Sequence, residues 1–370
     1  MRLIRKLHLY FGLISGVFVF LICLTGTIYV FNDEIIRLAN HNALTVAPQT
    51  TKKLDADMLL QSVSTKGYQP QQFVYSKDPN SSVYVLAKNS EGKFVQIYID
   101  PYTGEILKTS SLYNFFNFIE SFHTELFLDA PGRAFIGIIT VLFFVLLITG
   151  LVLWYPPKWN RKTAKNSFIF KFRGKRTVVN YNLHKVLGFY IVLPAILLSV
   201  TGTIMAFDPI EIEILRAIKA DGDYESYVDN LVKQRVAEAE TLITYQSLVE
   251  NNSIWKNRAT ELRITLPEAE DAQYILCESA DNFGMKYGDN YSFQYIDRTT
   301  GEHFNLHQDT SKSLAIKKGI SELHTGKMMG LGYKILLFII GLILISLPVT
   351  GYVIYYNKYS KKRKKTIQAK

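Results

Sequence analysis

Residues 7–31, LHLYFGLISGVFVFLICLTGTIYVF, and residues 183–207, LHKVLGFYIVLPAILLSVTGTIMAF, are two copies of one pattern. In each copy a Leu-His pair precedes a glycine (Gly12, Gly188), then Thr-Gly-Thr-Ile (from Thr25 and from Thr201), then Phe31 or Phe207, at identical spacings. Each is long enough to cross a bilayer core of ~30 Å, which takes ~20 apolar residues. Two further apolar blocks, 134–155 and 333–356, form a second matched pair: His123-Thr124 precedes Arg133 and Thr149-Gly150 at the spacing with which His324-Thr325 precedes Lys334 and Thr350-Gly351. A repeat of this kind fixes the architecture before any local reading does. It predicts an α-helical membrane protein with four transmembrane helices in two repeats. The halves share one orientation and so are related by a pseudo-two-fold axis along the membrane normal.

Charge gives the orientation. The net charge is +10, yet residues 1–6, 157–183 and 357–370 hold three, eight and seven basic side chains and no acid, so these segments carry +18 and the rest of the chain −8. Positive charge flanking alternate ends of the spans places both termini and the middle loop in the cytoplasm. A basic tail just inside a last span is ordinary topology, so no nucleic-acid partner is expected. The first apolar run is too long for a signal peptide, and no small-x-small cleavage site follows it, so a retained helix is expected. Cys23 falls mid-span and Cys277 in the second outer segment, which leaves no disulfide framework within a domain.

The outer segments read as small α+β modules. In the first, 55–64 has the spacing of a short amphipathic helix, 83–86 and 94–100 are rich in β-branched and aromatic residues, and a turn follows at Asp100-Pro101-Tyr102-Thr103-Gly104-Glu105. The second has a helix near 239–250, strands near 262–266, 272–278 and 291–296, and the turn Asp297-Arg298-Thr299-Thr300-Gly301-Glu302. The chain thus divides at 1–32 (first span), 33–110 (first outer domain), 111–156 (interfacial helix and second span), 157–182 (basic cytoplasmic loop), 183–208 (third span), 209–318 (second outer domain), 319–357 (fourth span region) and 358–370 (basic tail).

With its two Asp-x-x-Thr-Gly-Glu turns, its Leu-His and Thr-Gly landmarks and Trp154 after the second span, the chain resembles the PepSY-associated transmembrane family, and its outer modules resemble PepSY domains. The family includes iron-regulated inner-membrane proteins and ferrisiderophore reductases of Gram-negative bacteria. The resemblance therefore implies a bacterial inner-membrane location and points toward iron and siderophore chemistry.

Four of the seven histidines are fixed by the repeat at span boundaries. An ionisable group placed repeatedly at membrane depth is costly and calls for a partner or a cofactor. His8 and His184 begin outward-going spans and His123 and His324 precede inward-going ones, so the axis pairs them in an inner and an outer layer. Two neutral imidazoles on one iron make a bis-His b-type haem, and no Cys-x-x-Cys-His is present for covalent attachment, so two haem b groups are expected. Gly12 and Gly188 lie one turn from His8 and His184 on the same helical face. A stripe of small residues there admits a flat ring or serves helix packing, and the sequence leaves both open. Arg133 and Lys334 suit haem propionates, or snorkelling to the interface. His303 and His307 have four-residue spacing in a strand-rich module, a weak metal signal, and His41 is isolated.

These readings predict electron transfer from a cytoplasmic or quinol donor to a ferric siderophore or similar acceptor outside, the protein being embedded in membrane lipid. The competing reading is a non-redox receptor whose outer modules bind a peptide or protease. A transporter is disfavoured because no span carries a mid-membrane Asp, Glu, Lys or Arg. No Gly-x-Gly-x-x-Gly appears, so nicotinamide or flavin chemistry would belong to a partner.

Overall fold

A computed structural model describes residues 1–218, 230, 233–236, 241–251, 259–267, 269, 271–280, 292–304, 308–327 and 329–368. From the N-terminus, α1 (Arg2–Tyr29) leads through α2 (Asn32–Ala39) to α3 (Ala56–Ser64) and the strands β1 (Gln69–Ser76), β2 (Val83–Lys88), β3 (Phe94–Ile99) and β4 (Ile106–Ser110). Helix α4 (Leu112–Glu125) returns the chain to α5 (Asp129–Trp154), and α6 (Arg161–Phe168) lies in the basic connection. The second half runs α7 (Arg176–Ala206), α8 (Asp208–Ala217), α9 (Tyr245–Glu250), β5 (Glu261–Thr265), β6 (Tyr274–Ala280), β7 (Ser292–Asp297), β8 (His303–Phe304), α10 (Gln308–Thr325) and α11 (Gly330–Gln368).

Helices α1, α5, α7 and α11, the last as far as Lys358, are long and apolar enough to cross a membrane. They close into a ring in which α1 and α7 each touch α5 and α11 and stand diagonally across the centre. The interior packs Leu147, Ile191, Val192, Ala195, Leu337 and Ile340 together. Side chains on the outside of the ring are equally apolar, with Ile14, Leu193 and Leu342 exposed. Helices that are hydrophobic all round need lipid rather than water as their outer solvent. Pro194 and Pro348 sit inside α7 and α11 without ending them.

The outer modules are joined rather than separate. Their strands form one antiparallel sheet in the order β4-β3-β2-β1-β5-β6-β7-β8, seven strands edged by the two-residue β8. The joint is the pairing of β1 with β5, Phe73 opposite Ile264 and Ser76 opposite Glu261. A four-stranded module alone would leave β1 or β5 as an open edge, and each edge is satisfied by the other. The helices are joined too: Gln246 Oε1 accepts from the Ala56 amide at the start of α3, while the Asp57 carboxylate accepts from the Tyr245 and Gln246 amides at the start of α9. Each module thus caps the other's orphan helix donors.

Strand side chains alternate between two faces. Phe73, Val83, Val85, Ile97, Leu262 and Ile264 point to one face and are buried under Leu59, Leu60 and Val63 of α3 and Leu248 and Val249 of α9. The other face carries Gln72, Tyr84, Gln96, Tyr98 and Arg263 and looks onto α2 and α4.

The break between α4 and the second span falls at residues 126–129. Leu126, Phe127 and Asp129 have positive φ, and Ala130, Pro131 and Gly132 already belong to the first turn of α5. Proline is favoured there because the first-turn amides have no acceptor in the helix. In the second half Gly326 and Gly330 supply the matching positive φ.

Candidate cofactor site

The four repeat histidines meet in pairs across the bundle. His8 of α1 and His184 of α7 have ring centroids 6.4 Å apart at an interplanar angle of 79°. His123 of α4 and His324 of α10 are also 6.4 Å apart, at 55°. The two layers are 17 residues apart on both α1 (His8 to Thr25) and α7 (His184 to Thr201), which at 1.5 Å per residue is ~25 Å.

Each ring is held by a Thr-Gly pair on a neighbouring span. His8 Nδ1 lies 2.9 Å from Thr149 Oγ1 and His184 Nδ1 2.9 Å from Thr350 Oγ1. His123 Nδ1 lies 3.1 Å from Thr25 Oγ1 and His324 Nδ1 2.9 Å from Thr201 Oγ1. The threonine protons are committed to their own helices: Thr25, Thr149, Thr201 and Thr350 donate to the carbonyls of Leu21, Val145, Leu197 and Ser346. The threonine oxygens can then only accept, so each imidazole carries its proton on Nδ1. His123 Nδ1 in addition donates to the Ile22 carbonyl at 2.9 Å. In all four rings the Nε2 lone pair is left available, the second-partner arrangement that metal-bound histidines use.

The glycine after each threonine makes room for the ring. A methyl group at Gly26 would stand 2.8 Å from His123 Cε1, at Gly202 3.1 Å from His324 Cε1, at Gly150 3.2 Å from His8 Cε1 and at Gly351 3.5 Å from His184 Cε1. The Thr-Gly pairs are visible in the sequence as landmarks of the repeat. Their role as seats is not, because each threonine and its histidine are between 98 and 166 residues apart.

The outer pair opens on an apolar cavity of about 420 Å³ inside the bundle, walled by all four spans through residues such as Val19, Ile139, Leu198 and Leu344. Burial holds His123 and His324 below the usual imidazole range, with His324, next to His123, at about 4. Both rings therefore stay neutral at physiological pH, as metal ligation requires. Arg133 lines this cavity, half-exposed and 4.0 Å from Glu125.

Lys334 does not share Arg133's position. It is 1% exposed and locked 2.8 and 3.0 Å from the two Glu34 oxygens and 3.8 Å from Asp33. Its charge is met by the segment after α1, and it does not line the cavity that Arg133 lines, so the propionate role expected for the matched pair is left to Arg133 in this structure. Gly12 and Gly188 face Leu146 and Leu347 at ordinary contact distance, one turn from the histidines. His41 is exposed and hydrogen-bonds the Leu38 carbonyl. His303 lies in β8, and His307 lies outside the described residues. Among the described residues there is no cluster of three His, Cys, Asp or Glu side chains suited to a metal ion. Cys23 and Cys277 are free thiols.

No curated protein matches the chain. A family described as the PepSY-associated TM region matches residues 5–358, nearly the whole length, and the protein belongs to that family.

Proposed function

We propose that the protein is an electron-transfer protein of the bacterial inner membrane that holds two b-type haems and delivers electrons outward to a ferric siderophore or a similar iron(III) chelate. One observation carries the reading: in both layers two imidazoles face each other with Nδ1 occupied and Nε2 available. Both pairs are 6.4 Å apart between ring centroids, so the two imidazoles of each layer would be close enough to hold one haem iron between them. Haem held there supplies one-electron chemistry.

The chain's own residues do the holding and the insulating. His8 with His184, and His123 with His324, are the ligands. Thr149, Thr350, Thr25 and Thr201 fix the tautomer and ring orientation, and the adjoining glycines allow the rings to sit against the helices. The largely apolar walls of the outer cavity suit a flat macrocycle, and Arg133 in its lining would meet a propionate. The two layers split the membrane crossing into shorter steps. The basic segments set both termini and residues 157–182 on the cytoplasmic side, where a cytoplasmic reductant or a membrane quinol is the donor. On this reading the two halves of the sheet belong to the PepSY-like domains expected at residues 33–110 and 209–318.

The test is the visible spectrum of the detergent-purified protein, expected to show low-spin bis-His haem near two per chain. Replacing His8 or His184 with alanine should remove one haem, and replacing His123 or His324 the other. Full haem content in all four variants would overturn the assignment and leave a PepSY receptor for a peptide or protease as the better reading.

A further inference from the structure

The polar face of the sheet is covered without being filled. Between it and helices α2 and α4 lies a chamber of about 400 Å³, within the range of pockets that take small molecules. It adjoins the apolar cavity of the outer histidine pair: Tyr29, Asn32, Glu120 and Lys327 line both. The Tyr29 hydroxyl donates to Glu120 Oε2 at 2.7 Å, so one layer of hydrogen-bonded side chains separates the two spaces.

The lining describes its occupant. Gln96 is 2% exposed, yet its Oε1 has no hydrogen-bond partner among the described residues. A buried amide left this way costs stability unless something else satisfies it. Around it stand the hydroxyls of Tyr84, Tyr98 and Tyr113, which burial pushes up, Tyr98 to about 12, so that they remain protonated donors. Charged groups balance: Asp33, Glu120 and Glu261 against Arg37, Arg263 and Lys327. A chamber with equal numbers of either sign attracts neither a strong anion nor a strong cation.

We infer that this chamber binds the electron acceptor, and that the acceptor is a net-neutral small molecule rich in oxygen donors and acceptors. The word acceptor rests on the proposed function; the binding site does not.

The probe is gallium(III) tris-acetohydroxamate, a neutral and redox-inert chelate, titrated calorimetrically into the full-length detergent-purified protein. Binding is expected for the wild type and for His123→Ala, and it should be about 3- to 10-fold weaker for Gln96→Met and Tyr98→Phe, the range for loss of one hydrogen bond. Gln96→Met should leave the thermal midpoint about unchanged, since it removes a buried carbonyl oxygen with no partner and only a long, 3.5 Å bond from Nε2 to the Tyr84 hydroxyl, so weaker binding cannot be attributed to unfolding. The trianionic gallium tris-catecholate should bind far more weakly. No binding by the wild type, wild-type affinity in both variants, or equal affinity for the trianion would overturn the inference. Haem loading without chelate binding would remove the chamber and keep the proposed function; Gln96-dependent binding in a protein that never loads haem would do the reverse.

Discussion

Gly26→Ala and Gly351→Ala make the same chemical change at two of the four Thr-Gly seats, yet the structure assigns them opposite effects. At Gly26 the new methyl would stand 2.8 Å from His123 Cε1, closer than real Cβ contacts allow, whereas at Gly351 it would meet His184 Cε1 at an ordinary 3.5 Å. Overpacking costs about 1–3 kcal/mol. Replacing a helical glycine with alanine returns about 0.5–1 kcal/mol. Gly26→Ala should therefore destabilise by roughly 0.5–2 kcal/mol and Gly351→Ala should be neutral or slightly stabilising, with Gly202→Ala and Gly150→Ala between them. The displaced His123 ring should also lower the affinity of the outer site for haem by about 10- to 100-fold, the usual cost of disturbing a ligand's support. Thermal unfolding in detergent measures the first effect, and titration of the haem-free protein with hemin, followed in the visible region, measures the second. Equal losses at all four glycines, or the largest loss at Gly351, would refute the idea that the Thr-Gly pairs are seats for the imidazoles.

Thr149→Val keeps the shape of the seat and removes the acceptor for His8 Nδ1, so the inner haem should bind about 10- to 100-fold more weakly while the outer is unchanged; Thr149→Ser should restore it. Lys334→Met strands Glu34 and Asp33 beside a buried site and should cost about 1–4 kcal/mol in an unfolding assay, with Glu34→Gln in the same chain recovering much of the loss. Burial raises the Asp33 carboxyl above its usual value, with Lys327 and Lys334 opposing. A raised acid weakens the fold as pH climbs through its folded pKa, so Asp33→Asn should raise the thermal midpoint at neutral pH and lose that advantage as pH falls toward the ordinary carboxylate range. A cysteine placed at Lys88 should react with an impermeant reagent from outside and one at Thr163 should not; the reverse pattern would invert the orientation and the order of the two layers.

The spans and the pairing of the histidines were legible because both rest on one-dimensional signals: apolar length, charge asymmetry and a repeat at fixed spacing. The joining of the modules into one sheet was hidden. The strand that makes the joint, Gln69-Pro70-Gln71-Gln72-Phe73-Val74-Tyr75-Ser76, begins with four residues that favour neither strand nor burial. Its pairing partner lies nearly 200 residues away in the chain. Likewise Lys334 mirrors Arg133 in sequence, but its fate was decided by Glu34 on a different element, a contact no spacing rule reports. The chamber was hidden for the same reason, since it exists only where the sheet's polar face meets two helices from elsewhere in the chain.

The pairing of β1 with β5 also sets an order of events in biogenesis. Strand β1 is complete once residue 76 has been made, but residues 261–265 follow only after two more of the long apolar helices have been synthesised. Until then the first half presents a bare strand edge, and Asp57 lacks the α9 amides it later receives, with the loop-closure entropy of nearly 200 residues still to be overcome. Exposed edges of this kind recruit other strands, so the half-made protein is at its most aggregation-prone while its second half is still being synthesised. Expressed as two separate fragments, the halves should find each other through this same edge.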